Sequence, residues 1–152
     1  MKKIIVLLVA AFCLSVSCEK ENALNGNRKE NKDVSTKMDD SKFKNYCIES
    51  FDANHDGKIS AEEAASVKIM NCENKGITSL KGIEYFTSLT YLNCRNNKLT
   101  SLDVSKNTQL VELWCDYNNL TSLDVSKNTL LTVFIYNPQG NGLYIIPTGW
   151  SK

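Results

Sequence analysis

Apolar and polar positions repeat along this chain with a period of 21 or 22 residues from residue 67 onward. Four stretches align on that period: VKIMNCENKGI, LTYLNCRNNKL, LVELWCDYNNL and LLTVFIYNPQGN. The first three are followed by the connecting pieces TSLKGIEYFTS, TSLDVSKNTQ and TSLDVSKNTL. Apolar and polar residues alternate in the centre of each stretch, which predicts one short β-strand per repeat. Because each unit is too short to bury its own apolar face, we expect the units to stack with their strands parallel.

One face of each predicted strand points into the stack, since side chains alternate along a strand. The residues predicted to point inward are Met70, Cys72, Leu92, Cys94, Leu113, Cys115, Phe134 and Tyr136. The three cysteines among them form a column, which could be a metal or redox site or a buried column of small apolar residues. No histidine or carboxylate shares the interior to complete a ligand set, so we favour the buried column. Asn97 and Asn118, at the strand exits, are expected to bond backbone groups of neighbouring repeats.

The opposite face of the strands is where a partner could bind. The candidate binding residues on it are Tyr91, Arg95, Trp114, Tyr117, Val133 and Ile135. Tyr91, Trp114, Val133 and Ile135 form an apolar and aromatic patch, and exposed patches of this kind mark interaction sites. Alternatively, the tail NPQGNGLYIIPTGWSK folds back and covers part of the patch. Arg95 lies between Glu73 and Asp116 in its column, which predicts a surface ion-pair ladder.

Two short helices around a loop are predicted before the repeats. In SKFKNYCIESF, Phe43, Cys47 and Phe51 are four residues apart on one helical stripe, and SAEEAASV is rich in helix formers. The loop between them matches D-x-[DN]-x-[DN]-G-x-I-S-x-x-E, the pattern of a calcium-binding loop. Side-chain oxygens and, at position 7, a backbone carbonyl would bind the ion. The ligand positions are Asp52, Asn54, Asp56, Lys58, Ser60 and Glu63.

This loop could be a calcium sensor, an enzyme's metal site or a structural clip. The alternative without metal is a helix–turn–helix with three acidic groups crowded around a turn. Such loops usually occur in pairs that share the strand at position 8, which is Ile59 here, but this sequence has one loop. An unpaired loop with three carboxylates indicates weak binding, about 10⁻⁴–10⁻³ M, as in extracellular modules. Its place directly before the first repeat favours a clip that caps the stack.

The N-terminus, MKKIIVLLVAAFCLSVSC, has two lysines, an apolar run and then small residues, which predicts a secretory signal. The apolar run is too short for a permanent membrane-spanning helix. Its end, Ser15-Val16-Ser17-Cys18, resembles a bacterial lipobox, although Leu14 lies four residues before the cysteine instead of three. We therefore expect lipidation of Cys18; an ordinary cleaved signal with a free Cys18 is the alternative. Residues 19–40 hold only four apolar side chains, which predicts a disordered tether.

Charge and composition narrow the function classes. The formal net charge of +1 becomes −1 when Lys2 and Lys3 leave with the signal, so neither nucleic acid nor electrostatic membrane binding is expected. The lipid would be the only membrane anchor. The single histidine, His55, lies at a loop position that does not ligate calcium. Glu112 and Asp116 could mimic a glycosidase pair. However, the neighbouring Arg95 would keep the pKa of Asp116 low, whereas a general acid needs a raised pKa. We therefore expect that the protein is not an enzyme.

These motifs together resemble a known family. LTYLNCRNNKL and LVELWCDYNNL match LxxLxCxxNxL, the strand half of a leucine-rich repeat, and TSLDVSKNT matches its returning half. TSLKGIEYFTSL resembles the repeats of internalins. The whole arrangement resembles exported Bacteroidetes leucine-rich-repeat lipoproteins with one EF-hand-like loop. The resemblance implies an α/β solenoid with a parallel sheet and a helix–calcium loop–helix cap. The fourth unit departs from the pattern at Phe134, Tyr136 and Gln139, as a degenerate terminal repeat would.

The expected domains are a signal peptide (1–17), lipidated Cys18 and tether (18–40), an EF-hand-like cap (41–66), repeats (67–137) and a closing segment (138–152). The leading hypothesis is a calcium-clipped lipoprotein, anchored in the outer membrane at the cell surface. It would bind a host or bacterial surface protein through the concave face of its repeats. Two alternatives remain. One is a structural envelope component that self-associates, and the other is a glycan binder whose Trp and Tyr stack on sugar rings.

Overall fold

The computed structural model describes residues 32–137 and, for their backbone alone, Tyr144–Ile145. All of these belong to one compact unit that begins at Asn31. The predicted signal peptide and Cys18 lie outside the described residues, as do most of the predicted tether and most of the closing segment. Among the described residues, no helix has the length and apolar character needed to cross a bilayer.

The element order is a helical cap followed by a single sheet. A 3₁₀ turn at Ser35–Lys37 precedes the helices α1 (Ser41–Phe51) and α2 (Ala61–Ser66), and another 3₁₀ turn lies at Ile83–Tyr85. The strands are β1 (Ile69–Asn71), β2 (Tyr91–Asn93), β3 (Glu112–Trp114), β4 (Val133–Tyr136) and β5 (Tyr144–Ile145). They lie side by side in chain order. β1 to β4 are parallel, and β5 is antiparallel to β4.

The register confirms the alignment of the repeats. Ile69, Tyr91, Glu112 and Val133 are direct neighbours across β1 to β4, one step per repeat. The inward positions are buried as predicted: Met70, Cys72, Leu92, Cys94, Leu113, Cys115 and Phe134 are each at most 6% exposed. Tyr136 is half-buried and stacks on Phe134 with 5.8 Å between ring centroids. The repeats therefore share one continuous core.

Buried asparagines join the repeats on both sides of this core. The Asn97 side chain accepts from Lys75 N and Ile77 N and donates to the carbonyls of Cys72, Cys94 and Arg95. Asn118 donates to Cys94 and Cys115 in the same way, which confirms the predicted ladder. A second ladder, which the sequence analysis missed, lies in the returning halves. There Asn107 donates to Ile83 O and Phe86 O, and Asn128 donates to Val104 O and Asn107 O.

The cap closes the first edge of the sheet. Phe43 and Cys47 of α1 are fully buried, and Phe43 lies 6.5 Å from Phe86 of the first connecting piece. The hydroxyl of Tyr46 accepts a hydrogen bond from Asn71 N, 3.1 Å away, on the strand edge that β2 leaves free. An uncovered edge is a template for unwanted strand pairing, so this contact blunts it.

Asp40 ties the cap to the first repeat. One carboxylate oxygen accepts from Lys42 N and Phe43 N at the start of α1. The other accepts from the backbone N and the hydroxyl of Thr78, at 2.7 and 2.6 Å. Burial alone would raise the pKa of Asp40, but the hydrogen bonds from Thr78, Phe43 and Lys42 outweigh it and hold the pKa below its usual value.

The prediction of a disordered tether up to residue 40 is wrong for residues 32–40. Val34 is fully buried and Met38 is 7% exposed, both in the common core. Val34 N donates to Ile59 O (2.8 Å), and Ala61 N donates to Lys32 O (2.9 Å), forming a short antiparallel pairing. The low apolar content of residues 19–40 suggested disorder, yet two apolar side chains four residues apart are enough to dock residues 32–40 on the core. The cap thus includes residues before 41.

Candidate functional site

The loop of residues 52–63 is organised by its own polar side chains. Asp52 accepts from Gly57 N (2.8 Å) and Asp56 N (3.2 Å). Asn54 accepts from Asp56 N, and Asp56 accepts from Lys58 N. Gly57 has a φ of 77°, a left-handed conformation that glycine adopts without steric cost. The loop therefore turns where the calcium-loop pattern places its glycine.

Glu63 reaches from α2 back to the beginning of the loop. Its Oε1 accepts from Ala53 N (3.0 Å) and Asn54 N (3.3 Å), and its Oε2 accepts from Ser60 N and Ser60 Oγ. The bonds with Ser60 form a capping box at the start of α2. Burial raises the pKa of Glu63, but these hydrogen bonds lower it by more, so the carboxylate stays ionised. Glu63 thus closes the loop.

The ligand atoms predicted for the loop are of the type that binds calcium. In the structure, however, the side chains that carry them are not grouped around one point. The predicted ligands are oxygen atoms, and three of them are carboxylates, as calcium prefers. Yet among residues 32–137, no three His, Cys, Asp or Glu side chains are grouped so that they could hold a metal ion. Asn54 Nδ2 even donates to Asp56 Oδ2 across the loop, at 3.2 Å.

The outward face of β1 to β4 is the face that we call concave. On it, Arg95, Trp114 and Tyr117 form what we call the aromatic cluster. The Arg95 guanidinium lies 5.4 Å from the centroid of the Trp114 ring and 5.7 Å from that of Tyr117. Its Nε is 2.7 Å from Asp116 Oδ1, and the Asp116 side chain is 4% exposed. Arg95 is thus paired with a buried carboxylate and lies over both rings, while 29% of its side chain remains exposed.

The predicted three-residue ion-pair ladder is wrong. Arg95 pairs with Asp116, whereas Glu73 accepts a hydrogen bond from Asn93 Nδ2 at 3.0 Å. Asn93 is 5% exposed, and its Oδ1 accepts from Arg95 N. Asn93 therefore bonds the Glu73 carboxylate, and Arg95 pairs with the carboxylate of the following repeat, Asp116.

The outward patch is narrower than predicted. Tyr117 is 61% exposed, while Tyr91, Trp114 and Val133 are half-buried. Ile135 is only 8% exposed, so its placement in an exposed patch is wrong. The predicted tail lies beside this residue, because β5 pairs with β4 there and Ile135 is opposite Ile145. Ile69, on the same face, is 66% exposed and was not among the predicted binding residues.

Neither member of the carboxylate pair on this face is arranged for acid–base chemistry. Glu112 accepts from Trp114 Nε1 at 3.3 Å, and Asp116 is paired with Arg95. Both carboxylates serve to position aromatic or cationic neighbours. The expectation that the chain is not an enzyme stays a prediction.

The comparisons with known proteins point to one fold. No protein-family model matches the chain. It is 41% identical over 69 residues to Internalin J of Listeria monocytogenes serotype 4b (strain F2365), a match over 45% of this chain and 8% of Internalin J. The solved functional domain of InlJ from Listeria monocytogenes superposes with a TM-score of 0.61 at 35% identity, over 69% of this chain and 24% of that one. The chain is a leucine-rich-repeat protein.

A second internalin supports the leucine-rich-repeat fold. InlF from Listeria monocytogenes str. 4b F2365 gives a TM-score of 0.60 at 24% identity, over 71% of this chain and 33% of that one. The chain therefore spans a third or less of each of these relatives. These matches confirm the predicted class, a short solenoid with a parallel sheet.

The leucine-rich-repeat core contains a column of free cysteines. Cys72, Cys94 and Cys115 are at most 1% exposed and form no disulfide. Burial raises the pKa of the Cys72 thiol to about 12 and also raises the pKa values of the Cys94 and Cys115 thiols. The solved InlJ domain is itself described as including a cysteine ladder. Neutral, enclosed thiols agree with the predicted apolar column, because the thiolate is the form that reacts as a nucleophile and binds metals.

Proposed function

We propose that this leucine-rich-repeat chain is an exported protein-binding module that presents its concave face to a surface protein. The aromatic cluster is the observation that carries the proposal. Trp, Tyr and Arg are the side chains that contribute most to protein interfaces. Here the guanidinium is already held by Asp116 and by two rings, so little conformational entropy is lost on binding. The similarity to two internalins supports an exported binding protein.

A binding experiment with face variants tests this proposal. The wild-type chain and Tyr91→Ala/Trp114→Ala are immobilised and exposed to host-cell and bacterial surface extracts. A partner retained by wild type and lost from the double variant is the expected result. Leu130→Ala is the matched control, because Leu130 is 49% exposed but lies in a connecting piece. Equal retention by all three chains contradicts binding through the concave face.

The single variant Trp114→Ala separates the two other functions. Self-association predicts a dimer in light scattering that dissociates on Trp114→Ala. Glycan binding predicts array signals that disappear with the same change, since sugar rings stack on exposed aromatic side chains.

The loop of residues 52–63 is part of the proposal as a calcium-binding clip. Asp52, Asn54, Asp56, Ser60 and Glu63 would supply side-chain oxygens, and Lys58 its carbonyl. The clip would join α1 to α2 at the entrance to the repeats. Because the loop is already closed by hydrogen bonds, calcium would add stability and not fold the cap outright.

Melting with and without calcium tests the clip. Millimolar calcium is expected to raise the melting temperature, and EDTA to reverse the rise. The matched variant is Asp52→Ala with Glu63→Gln, whose melting temperature should not respond to either. If the wild-type chain melts identically in calcium and EDTA while partner binding changes, the loop is a sensor and not a clip.

Attachment through a lipid on Cys18 completes the proposal, with the outer membrane as the expected location. It is supported by the lipobox-like sequence Ser15-Val16-Ser17-Cys18. Mass spectrometry of the mature protein should find Cys18 as a lipidated N-terminus, and Cys18→Ala should release the protein from membranes. A free Cys18 thiol in the membrane-associated wild-type protein would contradict it.

A further inference from the structure

Tyr117 occupies a backbone position that the preceding repeats give to asparagine. The equivalent residues Asn74, Asn96 and Tyr117 have φ values of 56°, 52° and 53°, all in the left-handed region. Asparagine tolerates this region because its short side chain bonds locally, whereas a bulky side chain there is strained. The third repeat thus holds a tyrosine in a conformation that disfavours it.

The tyrosine also interrupts a hydrogen-bonded row. Asn96 Nδ2 donates to Asn74 Oδ1 across the first two repeats, at 3.2 Å. An asparagine at position 117 could continue this row, because Asn96 N already bonds Asp116 O beside it. The Tyr117 ring cannot, and it is 61% exposed, so burial returns little of the lost stability. The ring contact that the structure shows for it is the one with Arg95.

Backbone strain that packing does not repay is typical of functional sites. The strain at Tyr117 has one visible result: it places an exposed aromatic ring beside the guanidinium that Trp114 and Asp116 already hold. The ring and the guanidinium therefore face a partner together. This geometry separates Tyr117 from Ile69, whose exposure at the far end of the face is not accompanied by strain.

The charges around the cluster define the partner's chemistry. Within β1 to β4 and the two residues that follow each strand, the charged side chains are Glu73, Arg95, Glu112 and Asp116. Three carboxylates against one guanidinium leave this surface with a formal charge of −2. Since Asp116 already neutralises Arg95, a partner meets the uncompensated charge of Glu73 and Glu112. Complementarity therefore favours a cationic partner.

We propose that Tyr117 is the specificity-determining residue of the concave face, and that it selects a protein segment bearing a lysine or arginine beside an apolar side chain. The apolar side chain packs on the exposed Tyr117 ring, and the cation pairs with one of the two uncompensated carboxylates, Glu73 or Glu112. This inference rests on the proposed protein-binding function and names the chemistry of its partner.

Melting temperatures test the strain. Tyr117→Asn removes the ring and restores the favoured residue, whereas Tyr117→Ala removes the ring and keeps the strain. We expect Tyr117→Asn to melt at or above the wild-type temperature and roughly 2–8 °C above Tyr117→Ala. If Tyr117→Asn melts several degrees below wild type, Tyr117 is a packing residue and the inference fails.

A random peptide library displayed on phage tests the chemistry, with the immobilised full chain as bait. Wild type is expected to enrich peptides with lysine or arginine next to an aromatic or aliphatic residue. A synthesised enriched peptide should bind Tyr117→Asn and Tyr117→Ala at least tenfold more weakly, while Leu130→Ala binds it like wild type. Calorimetric titration gives these affinities.

Each of the other outcomes contradicts one part of the inference or the proposed function on which it rests. Enrichment of acidic peptides, or of none, contradicts the cationic partner. Enrichment that survives Tyr117→Asn but not Tyr91→Ala/Trp114→Ala overturns the role of Tyr117 and leaves the proposed function standing. Enrichment that survives the double variant contradicts binding by the concave face, and with it the proposed function.

Discussion

The two faces of the sheet use the same repeats in opposite ways. On the inner face, Met70, Leu92, Leu113 and Phe134 hold one position across four strands, and all are buried. On the outer face, the neighbouring position changes from asparagine to tryptophan to isoleucine, with differing exposure. Strands that stack about 4.8 Å apart need an apolar side chain at this inner position in every repeat, whereas solvent makes no such demand outside. Inner changes should therefore affect stability, and outer changes binding.

The largest test of this contrast is a pair of substitutions at adjacent residues of β3. Leu113→Ala should lower the free energy of unfolding by about 2–5 kcal/mol, because it leaves a cavity at a fully buried position. Glu112→Ala, one residue away on the outer face, should change it by less than about 0.5 kcal/mol. Denaturant unfolding measures both. Similar losses in the two variants would erase the distinction between the faces.

Two asparagine substitutions test whether burial or residue type determines the loss of stability. Asn97→Ala should cost about 1–3 kcal/mol, because it strands buried backbone groups of two repeats. Asn119→Ala removes the same side chain at an exposed position and should be nearly neutral. Thermal melting of both variants measures the difference. Equal stability would mean that water replaces the bonds of Asn97.

Acid should weaken the junction between the cap and the repeats. The pKa of Asp40 is lowered in the folded state, so its contribution is present above the unfolded value of about 3.8 and is lost as pH falls below it. Unfolding by denaturant between about pH 5 and pH 2 should show this loss. Asp40→Ala should be about 1 kcal/mol less stable at neutral pH, since it lacks the helix cap, and less sensitive to acid. Parallel pH profiles for the two proteins would exclude Asp40 as the titrating group; Glu63 and Asp103, whose pKa values are also lowered, would then be candidates.

The smallest effect is expected from reagents that attack the inner face. Burial raises the pKa values of the thiols of Cys72, Cys94 and Cys115, so iodoacetamide at about pH 8 should leave them unmodified in the folded protein. Peptide mass spectrometry should find them alkylated only after denaturant is added. Modification of Cys94 in the native chain would show that the column is accessible.

The sequence was sufficient for the repeated parts because their period specifies which residues meet. Alternation placed Leu92 and Cys94 inside, and the repeat spacing placed Asn97 and Asn118 on one ladder. The second ladder was also predictable in principle, since Asn107 and Asn128 recur 21 residues apart in DVSKNT. Its signal was overlooked because a polar residue in a connecting piece usually faces solvent.

The non-repeated parts were not predictable for a physical reason. Val34 docks against Ile59, and no local pattern joins residues 25 positions apart. Arg95 had two acidic neighbours in its column, and the choice of Asp116 depended on Asn93 occupying Glu73. The strain at Tyr117 is visible only in the backbone angle, although its position in an asparagine column was readable.

The pairing of residues 32–34 with residues 59–61 determines where mechanical load enters the domain. If the chain is anchored ahead of Lys32, tension reaches the bonds Val34 N–Ile59 O and Ala61 N–Lys32 O first. They join the pulled segment to the loop and not to a repeat. Under force, the cap would extend before any strand of the sheet parted from its neighbour. The concave face would then keep its shape while the anchor took up the strain.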